Sequence, residues 1–322
     1  MRIATFNIEN LDVPVEPRLT VLHPALERLD ADVLCLQEVN GQRVPGRKGR
    51  TLAALDALLA GTRYAAYARA ATHPPGRAGA ADVHNLVTLS RYPIVSSRQL
   101  LHDLVPPVEA RLVTPEPPAS GPSSVRFERP ALITEIDIAG RRLTVVNVHF
   151  RAPLATAIAG GKSAPFAWSS AAAWAEGYYL SGIKRTGQAL EVRLAVDRML
   201  DADASAMVLV SGDLNAEEHE TPLRTLIAAP EDTGSAALAA RALVPLERAL
   251  DPDRRYTIIH HGRPQMVDHM LASHALYGHF KSIEIHNEAL GDEAIGYAKG
   301  IAPAGSYHAA VVAEFGLGPA SG

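Results

Sequence analysis

Seven polar side chains stand where short apolar runs of this chain end: Asn7 after RIATF, Glu38 after DVLCLQ, His149 after LTVVNV, Asp213 and Asn215 in MVLVSGDLN, Asp268 in QMVDHML, and His308 before AAVVAEF. Singly, each has an ordinary reading as a cap, a turn former or a solvated group. As a set they are harder to explain in that way. Carboxylates, carboxamides and two imidazoles delivered to one rim would give a hard divalent cation its oxygen ligands. They would also supply a general base, donors to an oxyanion and an acid for a leaving group, which is the equipment phosphoester hydrolysis needs. The single cysteine, Cys35, lies inside an apolar run, so a disulfide framework and a thiolate metal site are excluded and any metal must be held by oxygen or nitrogen. The remaining histidines, among them His260, His261, His269, His274 and His279, read as structural or solvent-exposed.

Elements of two kinds must position these groups. The apolar runs are short enough for strands, with alternation visible in LITEIDI at 132–138. Between them, 18–30, 50–60 and 185–203 repeat apolar residues at three- and four-residue intervals, the pattern of helices laid on a sheet. Residues 106–130 carry seven prolines and read as an irregular surface loop. Residues 151–185 are rich in Ala and Gly but hold Phe166, Trp168, Trp174, Tyr178 and Tyr179, so this insertion either packs a local helix or forms an aromatic lid.

The chain has 322 residues, 47% hydrophobic and 20% charged, with a formal net charge of −4. That composition supports a single large domain with a sizeable core over 1–322 and argues against a strongly basic nucleic-acid-binding surface. No apolar stretch approaches membrane-spanning length, and the N-terminus enters a strand pattern at once, which favours a cytoplasmic protein. A secreted chain with a processed N-terminus would read the same way. Nothing in the sequence calls for an obligate protein partner.

Seven strings, in order along the chain, resemble the endonuclease/exonuclease/phosphatase superfamily with its deoxyribonuclease I-like fold: ATFNIENL at 4–11, LCLQEV at 34–39, LSRYPIV at 89–95, VVNVHF at 145–150, VSGDLNA at 210–216, VDHMLAS at 267–273 and SYHAAVV at 306–312. The resemblance implies an α/β fold: a four-layered sandwich of two mixed sheets packed face to face with helices outside. It implies a divalent cation, Mg2+ or else Mn2+, held by Glu38 with Asn7 beside it. By the same resemblance Asp213 orients or deprotonates the attacking water and Asn215 donates to a phosphoryl oxygen. His308 is the phosphate-side histidine, Asp268 fixes its tautomer, and His149 stands near the phosphate and leaving group. The chain departs from the family's Ser-Asp-His pattern by having Ser306, Tyr307, His308. The expectation is one carboxylate fewer at the cation, with the Tyr307 ring packed against His308 or the substrate.

The family's members act on several phosphoesters. Arg151, just past His149, suggests a phosphate clamp, and Trp168 and Trp174 suggest a surface for stacking a base or holding a lipid. The favoured reading is a nuclease-like phosphodiesterase acting on nucleic acid or another phosphodiester. The alternatives are a phosphatase or phosphodiesterase for a lipid or small metabolite, and a weakened relative that only binds phosphorylated ligands.

Overall fold

The computed structural model describes residues 1–165, 167–300 and 302–317. Its main strands, numbered along the chain, are β1 (Arg2–Leu11), β2 (Val33–Val39), β3 (Ala68–Ala71), β4 (Asn85–Ser90), β5 (Ile94–Leu100), β6 (Ala131–Ile138), β7 (Arg141–His149), β8 (Met207–Asp213), β9 (Val244–Pro245), β10 (Asp268–Ala272), β11 (Phe280–Ile285) and β12 (Val311–Phe315). They form two six-stranded sheets, ordered β11-β12-β1-β2-β4-β3 and β9-β10-β8-β7-β6-β5. Each is mixed, with one parallel pair at its centre, β1–β2 in the first and β7–β8 in the second. The principal helices are α1 (Glu16–Leu29), α2 (Ala53–Leu59), α3 (Ala171–Ala202), α4 (Thr221–Ile227) and α5 (Glu293–Ala298).

Two-residue periodicity explains the layers. In β1, Ile3 points between the sheets, where it joins Val33, Val145, Leu209 and Val311. Its neighbours Ala4, Phe6 and Ile8 point the other way, onto Leu22 and Leu26 of α1 and Leu55 of α2. The second sheet repeats the scheme, with Val146, Val148, Val208 and Val210 facing Val192 and Val196 of α3 and Leu223 of α4. The result is the expected four layers, helices, sheet, sheet and helices, with three apolar seams. Each fully buried aliphatic side chain contributes roughly 1.5–3 kcal/mol.

The space between the sheets turns polar toward one rim. One step along from Ile3, Thr5 meets Gln37, whose Nε2 donates to Thr5 Oγ1 at 3.1 Å and to Asn147 Oδ1 at 2.7 Å. Asn147 belongs to the opposite sheet and returns its own Nδ2 to Leu36 O (3.2 Å) and Val87 O (3.0 Å) of the first. All three side chains are fully buried, so this bolt joins the sheets by hydrogen bonds that water cannot replace. Close approach of β7 and β8 is possible because Gly212 has φ +147° and a Cβ there would lie 2.0 Å from Val148 O.

Two sequence expectations change. The helix expected at 185–203 and the C-terminal half of the insertion at 151–185 are one 32-residue helix, α3, capped by the Ser170 side chain accepting from Ala173 N. Glycines inside the aromatic segment mask its helical character, since each costs about 1 kcal/mol in a helix. Gly177 is nevertheless required, because a Cβ there would stand 2.3 Å from Thr156 O. The Pro-rich 106–130 stretch is more than a connector: it contains a small hairpin, Val108–Ala110 with Ser123–Val125, and its end carries Arg129 to the rim described below.

Asn147→Ala should lower stability by about 3 kcal/mol, because it leaves the Gln37 amide and two strand carbonyls short of partners inside the sandwich. Urea unfolding measures this. A loss under about 1 kcal/mol would show that the sheets do not depend on the bolt.

Candidate active site

Topology brings the seven residues to one rim. In each parallel pair both strands finish at the same edge, so Asn7 lies opposite Gln37, one residue before Glu38, and His149 opposite Asp213. The antiparallel neighbours begin where those strands end. Asp268 opens β10 opposite Asp213, and His308 precedes β12, which runs back along β1. Asn7, His149, Asp213 and Asp268 also occupy inward-facing positions, so the polar rim is the continuation of the Thr5–Gln37–Asn147 level.

Asn7 sits at the centre. Its Nδ2 donates to Asp213 Oδ2 at 2.9 Å across the sheets and to Glu38 Oε1 at 3.2 Å on its own. His308 Nε2 lies 3.5 Å from the same nitrogen, while His308 Nδ1 lies 2.8 Å from Asp268 Oδ2. His149 Nε2 stands 3.3 Å from Asp213 Oδ2 and 3.6 Å from Glu38 Oε1. Two clusters result, Glu38–His84–His149 and Asp213–Asp268–His308, in each of which the ligand atoms lie within 4.8 Å of one another.

Burial and the neighbouring Asp268 carboxylate push Asp213 up to about 7, against the pull of His308. Near neutrality it is therefore divided between acid and carboxylate, and the carboxylate form is a stronger base than an ordinary aspartate, as a general base requires. Burial works against a charge on His308, but the Asp268 and Asp213 carboxylates outweigh it and hold this imidazole well above its ordinary value. His149 is the opposite case: burial first, then Arg129, drive it well below, so it is neutral. Two histidines of one site thus carry different charges for stated reasons.

A supporting layer fixes these groups. Ser306 Oγ donates to Asn7 O at 2.7 Å and accepts from His308 N at 3.0 Å. Arg18 of α1 donates to Glu9 O and Ile8 O and also reaches Gly305 O, tying the His308 loop to the end of β1. From α3, Arg185 donates to Asn215 O (2.7 Å), and Gln188 clamps Arg129 O (3.1 Å) and Arg151 N (2.9 Å). Arg129 then hydrogen-bonds His149 Nε2 and Phe150 O. Behind β10, His269 and Glu247 form a buried pair, and His269 Nε2 lies 2.9 Å from Ala216 O, next to Asn215.

Several expected roles are corrected by this geometry. Asn7 turns its NH2 to the carboxylates while its Oδ1 accepts from Glu9 N, so as placed here it is a donor to both carboxylates and does not turn its oxygen toward them. Asn215 does not share an extended strand with Asp213, because β8 ends at Asp213 and Asn215 has φ +49°. Its Nδ2 is spent on Asp213 Oδ2 (3.0 Å) and Phe150 O (3.1 Å), which makes it a support for Asp213. Tyr307 faces away from the centre. Its ring meets Tyr297 of α5 edge-on and packs on Gly291 and Gly296, and its N–H donates to Glu9 Oε2. Trp168 is absorbed by a small apolar cluster with Val125, Ile158 and Leu180. Trp174 is exposed and stacked on Tyr178, and Arg151 pairs loosely with Glu128 at 3.7 Å. Phe166 lies outside the described residues. Glu9, Arg18, His84, Arg129, Arg185 and Gln188 went unread in the sequence.

The two sheets, their outer helices and the acidic and imidazole groups gathered across one rim define the DNase I-like class of α/β sandwich. The chain belongs to the endonuclease/exonuclease/phosphatase family, whose sequence profile matches residues 4–308. The chain is similar in fold to truncated TDP2 from Caenorhabditis elegans (15% identity, TM-score 0.56, 98% of this chain and 96% of that one). It is similar also to an AP endonuclease from Archaeoglobus fulgidus (16%, 0.53, 98% and 100%). A third neighbour is the 3′ phosphatase NExo from Neisseria, solved with a product DNA hairpin (16%, 0.53, 98% and 99%). No curated protein sequence matches. Among the described residues no helix is long and apolar enough to cross a membrane.

Tyr307→Asp should destabilise the fold by about 3 kcal/mol, because it removes a buried ring beneath α5 and sets a carboxylate close to that of Glu9. Thermal unfolding together with a cation titration checks this. Unchanged stability with tighter cation binding would show that position 307 faces the centre after all.

Proposed function

We propose that this protein hydrolyses phosphodiester bonds with a divalent cation, on nucleic acid or a chemically similar diester. The observation that carries the reading is the asymmetry around Asn7: a carboxylate at the mouth, Glu38, on one side, and a buried base with a charged imidazole, Asp213 and His308, on the other. The donor set suits a hard or borderline cation, since Glu38 offers carboxylate oxygens with its side chain 13% exposed. Mg2+ or Mn2+ held there would polarise a phosphoryl oxygen and offset its developing charge.

The remaining work falls to the chain's own residues. Asp213, held by the amides of Asn7 and Asn215, orients a water and accepts its proton for in-line attack on phosphorus. His308, fixed by Asp268, donates to a phosphoryl oxygen, and Arg129 adds a second cationic donor at the same rim. The likeness to an AP endonuclease and a DNA-bound 3′ phosphatase supports a nucleic-acid-like substrate. An exposed aromatic surface adds to that support: Tyr178, stacked on Trp174, lines a cavity of about 250 Å³ with Ser181, Arg185 and His219, and Arg185 holds Asn215 in place.

Glu38→Gln and Asp213→Asn should each reduce kcat by about a hundredfold or more with the fold intact. Raised cation concentration should restore part of the Glu38→Gln rate, because a carboxamide is a poorer ligand than a carboxylate. It should not restore Asp213→Asn, which lacks the base. Initial rates against cation concentration for the three proteins decide this, and near-normal turnover in either variant removes that residue from the mechanism.

A further inference from the structure

His84 has no part in the reaction just described, yet its imidazole stands in the same rim. It occupies the turn before β4 with φ +58°, a left-handed conformation that most side chains avoid. That turn is stapled to the end of β2 on both sides of His84. Asn85 Nδ2 donates to Val39 O at 2.8 Å and to Ala81 O at 3.0 Å, and Asn85 Oδ1 accepts from Ala81 N at 2.7 Å. Asn40 Oδ1 accepts from His84 N at 3.2 Å. Val39 and Asn40 directly follow Glu38, which itself has φ +60° at an irregularity in the β2–β4 pairing. Two left-handed residues on facing chain segments, locked by the same asparagines, therefore aim a carboxylate and an imidazole at one point.

The third side of that point is His149, whose ring meets His84 edge-on at 5.6 Å between centroids. Glu38, His84 and His149 bring one oxygen and two nitrogen ligand atoms within 4.8 Å of one another. The Nδ1 atoms of both imidazoles are buried, and neither has a hydrogen-bond partner among the described residues. Two imidazoles and one carboxylate with open positions suit a borderline transition ion better than Mg2+, which prefers oxygen and holds its waters.

We propose that Glu38, His84 and His149 form a nitrogen-containing cation seat, so that His84 sets the metal preference of this protein toward ions such as Mn2+, Co2+ or Zn2+. Arg129, now hydrogen-bonded to His149 Nε2, is the group a cation at that nitrogen displaces. The inference rests on the reading that Glu38 binds the cation, and it adds the two nitrogen ligands.

Co2+ is the probe, because its visible absorption reports ligand type without any turnover. Titrations of wild type, His84→Gly, His84→Gln and Glu38→Gln with Co2+, and in competition with Mg2+, give the affinities. Glycine accepts the left-handed backbone, and glutamine keeps side-chain bulk, so loss of fold in one variant leaves the other to decide. Wild type should bind Co2+ more tightly than Mg2+. Both His84 variants should weaken Co2+ binding by about tenfold or more and alter its visible band, with Mg2+ affinity changed by less than about twofold. Loss of binding in Glu38→Gln with unchanged Co2+ affinity and spectrum in the His84 variants overturns this proposal alone. A wild type that takes up neither ion overturns the cation reading as well.

Discussion

The hydrogen bond from Gln37 to Asn147 joins the two sheets in the middle of the sandwich, between the apolar seam on one side and the polar rim on the other. Hydrophobic contact is non-directional and would tolerate small slides of one sheet over the other. A buried amide pair with further bonds to Leu36 O, Val87 O and Thr5 does not, because any slide leaves polar groups unpaired without water. The level above the bolt is the site, and two of its cross-sheet contacts, Asn7 to Asp213 at 2.9 Å and Asp268 to His308 at 2.8 Å, close only if the sheets are in register. Stability of the sandwich and geometry of the centre are in this sense one problem.

Gathering Glu38, Asp213 and Asp268 at one rim sets like charges against each other, and the structure meets the repulsion in three ways. Protonation is the first: Asp213 is driven up to about 7, mainly by burial and by Asp268. Neutral donors are the second, since Asn7 and Asn215 direct N–H groups at the carboxylates without adding charge. The third is cationic, through His308 and Arg129. Arg129 is itself lowered by burial while Glu38 and Asp213 draw it back.

Much of this was legible in the sequence because strands advertise themselves. Asn7, His149, Asp213, Asp268 and His308 each adjoin a visible apolar run, and the period of two places the first four on the inner face. Tyr307 and His308 lie in a bend before β12, so the period of two does not reach them and the side Tyr307 faces was not legible. Asn147 also carried a signal, a carboxamide at an inward position of an apolar strand. Arg129 and His84 carried none. One ends a Pro-rich segment whose path no periodicity describes, and the other depends on a left-handed backbone that only tertiary hydrogen bonds reveal. The donor role of Asn7 was likewise hidden, because residue type does not say which end of an amide faces the carboxylates.

The proposed function makes this rim a cation-dependent phosphodiesterase centre. The most direct measurement is hydrolysis of a bis-aryl phosphodiester, an aryl phosphomonoester and single- and double-stranded DNA by the wild-type protein, with Mn2+ or Mg2+ and with a chelator. The diester and DNA should be cleaved with either cation or with Mn2+ alone, the monoester should be cleaved more slowly, and the chelator should abolish all turnover. Cleavage that persists in the chelator, or a monoester hydrolysed faster than either diester, would contradict the proposed function.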